Sequence, residues 1–521
     1  MTGFSTRILA LLGGFVAAVA TLWVRALPTW GTVVDDAYIS ARYGEHLAAG
    51  YGLVYNAGEP PIEGYTNLVW TVGLAGVRWL GLPMHESMEV LGLVWATVAL
   101  AGVVALADAV LDHPRVPWLA GLPALFLAAT PHFAVIATNG LETSQFIAAV
   151  VWAIWASWVA KGRWRWAAAV LLGSLAWVRP EGILVAGGVV LLDLIAHRSA
   201  LSKVHTWAYL VGTVGLFLPL EAWRYGTYGA WLPNTGAAKS NLSWWGALKL
   251  NVKYVGGDPE VWIGTLVALI VGAVSSRWSW RKALLLCLVG GLTLIASRVY
   301  LWMPGGRLLV LPLALSWVVA ALPLRPLLSK RGSRRGLRAV WAVVLAGCLV
   351  YMVVGQTTGF QRGRDERHSV VKPNPARLAG EHLAAHLPAG SWLATRDAGL
   401  LAWSVGTDIK VAELHPRALT QPHPDGADAD WQALLDGPPE AVALTVNASD
   451  KKPFYYSLER RIWRKIGGEY HYLGRVEQHY RRHYDVYVRA DLNVPPLDPE
   501  VVTNFVGKLP RTTVRRADDA L

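Results

Sequence analysis

Asn67-Leu68-Val69-Trp70-Thr71-Val72-Gly73-Leu74-Ala75-Gly76-Val77-Arg78-Trp79-Leu80-Gly81-Leu82 decides the topology of this chain. The stretch is apolar enough to cross a membrane, and it can equally lie along one. Eleven other apolar runs of spanning or nearly spanning length fall at about 8–27, 88–110, 117–137, 143–160, 165–178, 182–197, 204–223, 261–275, 283–299, 307–323 and 338–355. Basic clusters stand at Lys161–Arg165, His197–Lys203, Arg277–Lys282 and Arg325–Arg338. If 67–82 crosses, all four clusters lie outside. If it lies on the surface or re-enters, all four lie in the cytoplasm, where loops carry an excess of Lys and Arg. The second arrangement follows: N-terminus inside, eleven spans, and the chain beyond the last span outside.

Composition agrees with a membrane bundle. Of 521 residues, 54% are hydrophobic and 16% charged, and mean hydropathy is +0.34, which suits a multi-span protein rather than a soluble enzyme. Tryptophan outnumbers phenylalanine 27 to 9, in keeping with its preference for the headgroup level. The formal charge of +12 comes from short clusters between apolar runs. That pattern orients a membrane protein, whereas a nucleic-acid binder gathers charge on one face of a soluble domain. Cys287 and Cys348 each sit in an apolar run, so no disulfide framework or cysteine metal site is implied. The first run is of spanning length, and it reads as a retained span rather than a cleaved signal.

The expected architecture is an all-α polytopic bundle over 1–355, with a first outer loop at 28–87 and a non-spanning helix at 67–82. Beyond it the sequence turns polar. Short β-type stretches at Ser391–Thr395, Ile409–Ala412, Ala441–Val446, Tyr470–Val476 and Tyr484–Val488, with a helix over Pro375–His386, predict an extracytoplasmic α/β domain at 356–505. A tail at 506–521 is expected to be disordered.

The unusual polar residues gather on the outer face. The first loop carries Asp35-Asp36-Ala37-Tyr38-Ile39-Ser40-Ala41-Arg42-Tyr43, then Glu63-Gly64-Tyr65-Thr66-Asn67. Acids interleaved with tyrosines suit a sugar site, because aromatic faces stack on C–H patches while carboxylates and amides hold hydroxyls. One aspartate is enough to cap a helix starting near Ala37, so the second needs another explanation. Two neighbouring carboxylates also repel, which favours a general base. Later exits bring Glu142, which is either a ligand-orienting acid or a solvated helix start. They also bring Arg179 with Glu181 around Pro180, which read as an ion pair beside the site or as a phosphate cation. Asn234, Lys239, Arg298 and Arg307 follow, and then Asp397 at a predicted strand end. Cations on an outer face, where they are normally sparse, suit a lipid phosphate.

Taken in order, these motifs resemble the arabinofuranosyltransferase-like glycosyltransferases of the GT-C class, which use polyprenyl-phosphate sugars. The resemblance runs from Asp35-Asp36-Ala37-Tyr38-Ile39-Ser40 and Gly52-Leu53-Val54-Tyr55-Asn56 through Glu63-Gly64-Tyr65-Thr66-Asn67. It continues with Gly140-Leu141-Glu142-Thr143, Arg179-Pro180-Glu181-Gly182, Trp231-Leu232-Pro233-Asn234-Thr235 and Pro304-Gly305-Gly306-Arg307, and ends at Asp397-Ala398-Gly399. The sequence before Pro304 lacks a Gly-Asp pair found in many relatives.

The resemblance implies an inverting transferase of the plasma membrane of a bacterial cell. Asp35 or Asp36 would be the base, with a polyprenyl-phosphate sugar as donor and a cell-envelope glycan as acceptor. Tyr38, Arg42, Glu63, Tyr65, Asn67, Glu142, Arg179, Glu181, Asn234, Lys239, Arg298, Arg307 and Asp397 are the candidate substrate contacts. No cofactor is required by the sequence, although Mg2+ or Ca2+ is compatible with the acids. The metal site is unknown, and no nucleic acid partner is expected. Two other classes share the topology: a lipid-linked glycan polymerase or ligase, and a flippase. A flippase typically carries inverted repeats and midplane charges, whereas here the polar residues crowd one face.

Overall fold

The computed structural model describes residues 2–111, 117–200, 202–234, 280–298, 307–321, 369–370, 374–414, 437–448, 453–455, 464, 467–479, 482–499 and 501–502. The chain divides into two compact units, each assembled from separate stretches of sequence.

The first unit comprises 1–30, 88–224 and 242–366 and is helical where described. It holds α1 (Thr2–Ala26), the greater part of α4 (Met84–Val110), α5 (Leu122–Ala129), α6 (Pro131–Thr138), α7 (Thr143–Val159), α8 (Trp164–Val178), α9 (Gly182–Ala196), most of α10 (Ala208–Tyr228), α11 (Trp280–Arg298) and α12 (Val310–Ala321). Among the described residues, two helices are long and apolar enough to cross a membrane, or three if Pro117–Ala129 and Pro131–Thr138, bent by 69°, form one broken span. The bend falls at Pro131, whose ring and missing N–H end the preceding helix. Pro219 interrupts the ladder of α10 in the same way. The runs expected at 261–275 and 338–355 lie outside the described residues.

Small residues let these helices approach closely. A methyl on Gly14 would stand 3.0 Å from the Cα of Gly121, and Gly173 faces the Gly212 carbonyl. Where lipid tails are as apolar as leucine, such close backbone packing is a main source of helix association. Arg7 is paired with Asp108 at 2.6 Å and Arg165 with Asp193, so these two buried acids have cationic partners.

The second unit comprises 31–87, 225–241 and 367–521. From the first loop come β1 (Val33–Val34), α2 (Ala37–Ala48) and α3 (Leu68–Trp79). Helix α3 has 12 residues, about 18 Å at 1.5 Å per residue, short of the ~30 Å hydrocarbon core. From the C-terminal part come β2 (Ser369–Val370), α13 (Pro375–His386), β3 (Trp392–Thr395), α14 (Leu400–Ser404), β4 (Lys410–Glu413), β5 (Ala441–Ala448), β6 (Pro453–Tyr455), β7 (Tyr470–His479) and β8 (Arg482–Arg489).

Strand order is β4-β3-β5-β8-β7, with β6 pairing β5. β3 runs parallel to both β4 and β5, with Leu393 opposite Val411 and Ala441. β8 is antiparallel to β5 and β7. Asn374 starts α13 by accepting the Ala376 N–H at 2.9 Å, with Pro375 at the first helical position. The buried residues Ala376, Ala379, Gly380 and Leu383 repeat at helical spacing. A second piece of core forms from Ala394, Ala412, Leu414, Val442, Leu444 and Tyr487.

Candidate active site

The Asp35–Asp36 pair sits at a strand-to-helix junction. On one side, β1 pairs antiparallel with β2, Val33 opposite Val370 and Val34 opposite Ser369. On the other, α2 starts at Ala37. The carbonyls of Asp35 and Asp36 accept the N–H groups of Tyr38 and Ile39 at 3.0 and 3.3 Å, so the turn is tight. Both aspartates are half-buried. Asp36 occupies the N-cap position of α2, yet its side chain makes no capping bond there. Asp35 instead accepts through Oδ1 the N–H of Leu400 at 2.9 Å, at the start of α14. The capping bond that Asp35 makes therefore serves a helix from the far end of the sequence.

The loop that meets Asp35 leaves the carboxyl end of β3, which lies between two parallel neighbours. Loops in that position are the usual place for ligands in open α/β sheets. Asp397 accepts from the Tyr484 hydroxyl at 3.0 Å, and the Ala398 carbonyl accepts from Tyr55 at 2.8 Å. Gly399 lies so close to Asp35 that a methyl there would overlap both its carboxylate and its carbonyl. Asp35 and the Asp397 loop are thus brought together across more than 360 residues of sequence.

Several first-loop residues expected to contact substrate are used inside the unit. Arg42 is 2% exposed. It donates to the carbonyls of Tyr55 (2.8 Å), Ala402 (2.5 Å), Gly406 (2.9 Å) and Ile409 (2.7 Å), and to Asn56 Oδ1 (3.3 Å). That accounts for all five guanidinium N–H groups, so Arg42 is an internal clamp rather than a substrate cation. Tyr38 and Tyr65, expected to offer their faces to a sugar, are 1% and 2% exposed. The Tyr38 ring packs on Trp403 at 5.1 Å, and its hydroxyl shares a 2.5 Å hydrogen bond with His85 Nδ1. Tyr65 packs edge-on against Tyr43, and its hydroxyl meets that of Tyr228 at 2.8 Å. Burial raises the pKa of Tyr43 and Tyr65, keeping both phenols neutral. Asn67 Oδ1 accepts from Ser40 and Thr71. Glu63 is buried, and its carbonyl accepts the Asn234 N–H at 3.1 Å.

In the first unit, three helix ends carry a charge cluster. Glu142 precedes α7, Arg179 ends α8 and Glu181 precedes α9. Arg179 pairs with Glu142 and, at 2.9 Å, with Glu181, while Arg307 stands 3.7 Å from Glu142. Two acids and two arginines balance formally, which offsets part of the cost of burying them. Glu142 is 1% exposed and ion-paired, which replaces the expectation of a solvated acid. Arg179 belongs to a structural ion pair.

No protein-family model matches the chain. Over 252 residues it is 32% identical to the terminal β-(1→2)-arabinofuranosyltransferase of Mycobacterium tuberculosis, a match covering 43% of this chain and 37% of that protein. Over 313 residues it is 29% identical to the protein of the same name from Corynebacterium glutamicum, covering 54% and 43%. The matched stretch thus spans less than half the length of these relatives. Among solved structures, ArnT from Cupriavidus metallidurans bound to undecaprenyl phosphate superposes with a TM-score of 0.53 at 15% identity, covering 96% of this chain and all of that one. The chain shares the fold of ArnT. The resemblance to arabinofuranosyltransferases seen in the sequence motifs holds.

Sequence reading missed His85 and Trp403, and it quoted Tyr55 and Ala398-Gly399 within motifs without giving them a role. No local pattern distinguishes a carbonyl that receives an arginine from one that does not. Lys239 and the 299–306 loop lie outside the described residues, and so does the side chain of Arg298 at the end of α11. Among the described residues, no three His, Cys, Asp or Glu side chains group as a metal site.

Proposed function

We propose that the chain is an integral-membrane inverting glycosyltransferase that moves a sugar, arabinofuranose by its relatives, from a polyprenyl phosphate to a cell-envelope glycan. The observation that carries this reading is the pair Asp35–Asp36. It sits at a strand–helix junction, with Asp36 not spent on capping its own helix. The named activity of relatives 32% and 29% identical supports it.

One aspartate takes the proton of an acceptor hydroxyl. The freed oxygen attacks the anomeric carbon and forms the new glycosidic bond. The bond from that carbon to the phosphate oxygen breaks with inversion, and the lipid phosphate departs with the electron pair. Arg307 and Lys239 are assigned to balance its charge. The eleven-span topology, the outer position of the 356–505 domain and the plasma-membrane location complete the proposal, supported by the four basic clusters. Carboxylate oxygens are hard donors of the type Mg2+ and Ca2+ take, and adding either ion back to EDTA-treated protein tests whether turnover uses one.

The deciding experiment incubates purified protein with a panel of radiolabelled polyprenyl-phosphate sugars and a glycan acceptor. Consumption of one donor with transfer of its label is expected. A folded protein that consumes none overturns the reading.

A further inference from the structure

We propose that Arg42 is a positioning residue for the Asp35–Asp36 pair, fixing it through the short helix α14 of the C-terminal part of the chain. The inference rests on the reading of that pair as catalytic. Helix α14 has five residues, Leu400–Ser404, too few to be stable alone. It is held at both ends by one segment of the first loop. At its amino end, Leu400 N–H is received by Asp35 Oδ1. At its carboxyl end, the Ala402 carbonyl and the Gly406 carbonyl beyond it accept from Arg42 Nη1, and the Ile409 carbonyl accepts from Nη2. An acid at the positive end and a cation at the negative end both match the helix dipole.

The spacing fits. Arg42 follows Asp35 by seven positions, about 10 Å at the helical rise, so one segment supplies both the acid and the cation that hold α14. The remaining donors of Arg42 tie in the Tyr55 carbonyl and Asn56 Oδ1. Tyr55 in turn holds the Ala398 carbonyl, and Asn56 bonds both the N–H and the carbonyl of Val411.

An independent observation points to the same device. Gly399 is the one residue type that leaves room for the Asp35 carboxylate at this turn. A helix required only for folding would need neither an aspartate from the candidate pair as its cap nor a glycine shaped to that carboxylate. The C-terminal part of the chain therefore sets where the pair points.

The test compares full-length wild type with Arg42→Lys, Gly399→Ala and Tyr55→Phe, using the radiolabelled polyprenyl-phosphate sugar that wild type consumes. It reads kcat, donor KM and melting by intrinsic tryptophan fluorescence. Arg42→Lys and Gly399→Ala are expected to lower kcat about 10- to 100-fold, the cost of a small misplacement of reacting groups. Donor KM should change less than about threefold, and Tyr55→Phe should give a smaller loss of the same kind. If Arg42→Lys does not fold, Gly399→Ala and Tyr55→Phe carry the test. Folded variants with wild-type kcat, or losses that follow only the folded fraction, overturn the inference alone. A wild type that consumes no donor overturns the enzyme reading together with it.

Discussion

Asp35 and Leu400 are joined by a 2.9 Å hydrogen bond from the Leu400 N–H to Asp35 Oδ1, across 365 residues of sequence. The carboxylate expected to do chemistry is therefore also an anchor. This separates the two aspartates experimentally. Asp36→Asn should lower turnover about 100- to 10,000-fold if Asp36 is the base. Asp35→Asn keeps an Oδ1 acceptor for Leu400, so its effect on turnover reports on chemistry. Asp35→Ala also removes the cap and should cost about 1 kcal/mol more in stability. Single-turnover assays beside thermal melts distinguish these outcomes.

Arg179 lies between two acids in the first unit, with side-chain exposures of 5% for Arg179, 1% for Glu142 and 32% for Glu181. Arg179→Met leaves buried Glu142 with only the longer contact to Arg307, at 3.7 Å, among its described ion pairs. A loss of roughly 3–5 kcal/mol is expected, the usual cost of breaking a buried pair. Adding Glu142→Gln should restore part of that loss. A thermal-melt double-mutant cycle with no recovery would show that the two side chains do not depend on each other.

His46 is buried in α2, and its Nδ1–H donates to the Val54 carbonyl at 2.9 Å. Burial, with the charge of Arg42 nearby, pushes its pKa down to about 4. The unfolded chain, near 6.5, binds a proton that the folded chain refuses between these values. The contribution is present in full above pH 6.5. It is lost as pH falls toward 4, amounting to on the order of 3 kcal/mol across the window. Melting temperature of wild type should drop more over pH 6.5 to 4 than that of His46→Gln. Parallel curves for the two proteins would remove His46 as the cause.

Sidedness is directly measurable. Cys287 is exposed on α11, so Cys287 and Cys348 must first be replaced. A cysteine introduced at Lys410 or Tyr472 should react with a membrane-impermeant maleimide in intact cells. One at Lys161 should react only after permeabilisation. The reverse pattern would put the aspartate pair in the cytosol and remove the proposed donor from reach.

Much of the local structure was legible in the residues. The helix expected over Pro375–His386 forms with those limits, because an asparagine cap, a proline at the first position and an apolar stripe agree. The β-type stretches form strands within a few residues of their expected bounds, since alternation is a local property. Glu142 was expected either to orient a ligand or to be a solvated acid at a helix start, and its partner Arg179 stands 37 residues away on another helix end. Neither residue carries a sign of the other.

The sequence by itself determined the apolar runs, the crowding of acids and tyrosines in the first loop, and the change to an α/β pattern in the C-terminal part. Only the tertiary structure decided what those side chains hold. Arg42 looked like a substrate cation because its charge is written in the sequence, whereas four of its five acceptors are backbone carbonyls. Every residue has such a carbonyl, so which four converge on one guanidinium is fixed by the path of the folded backbone.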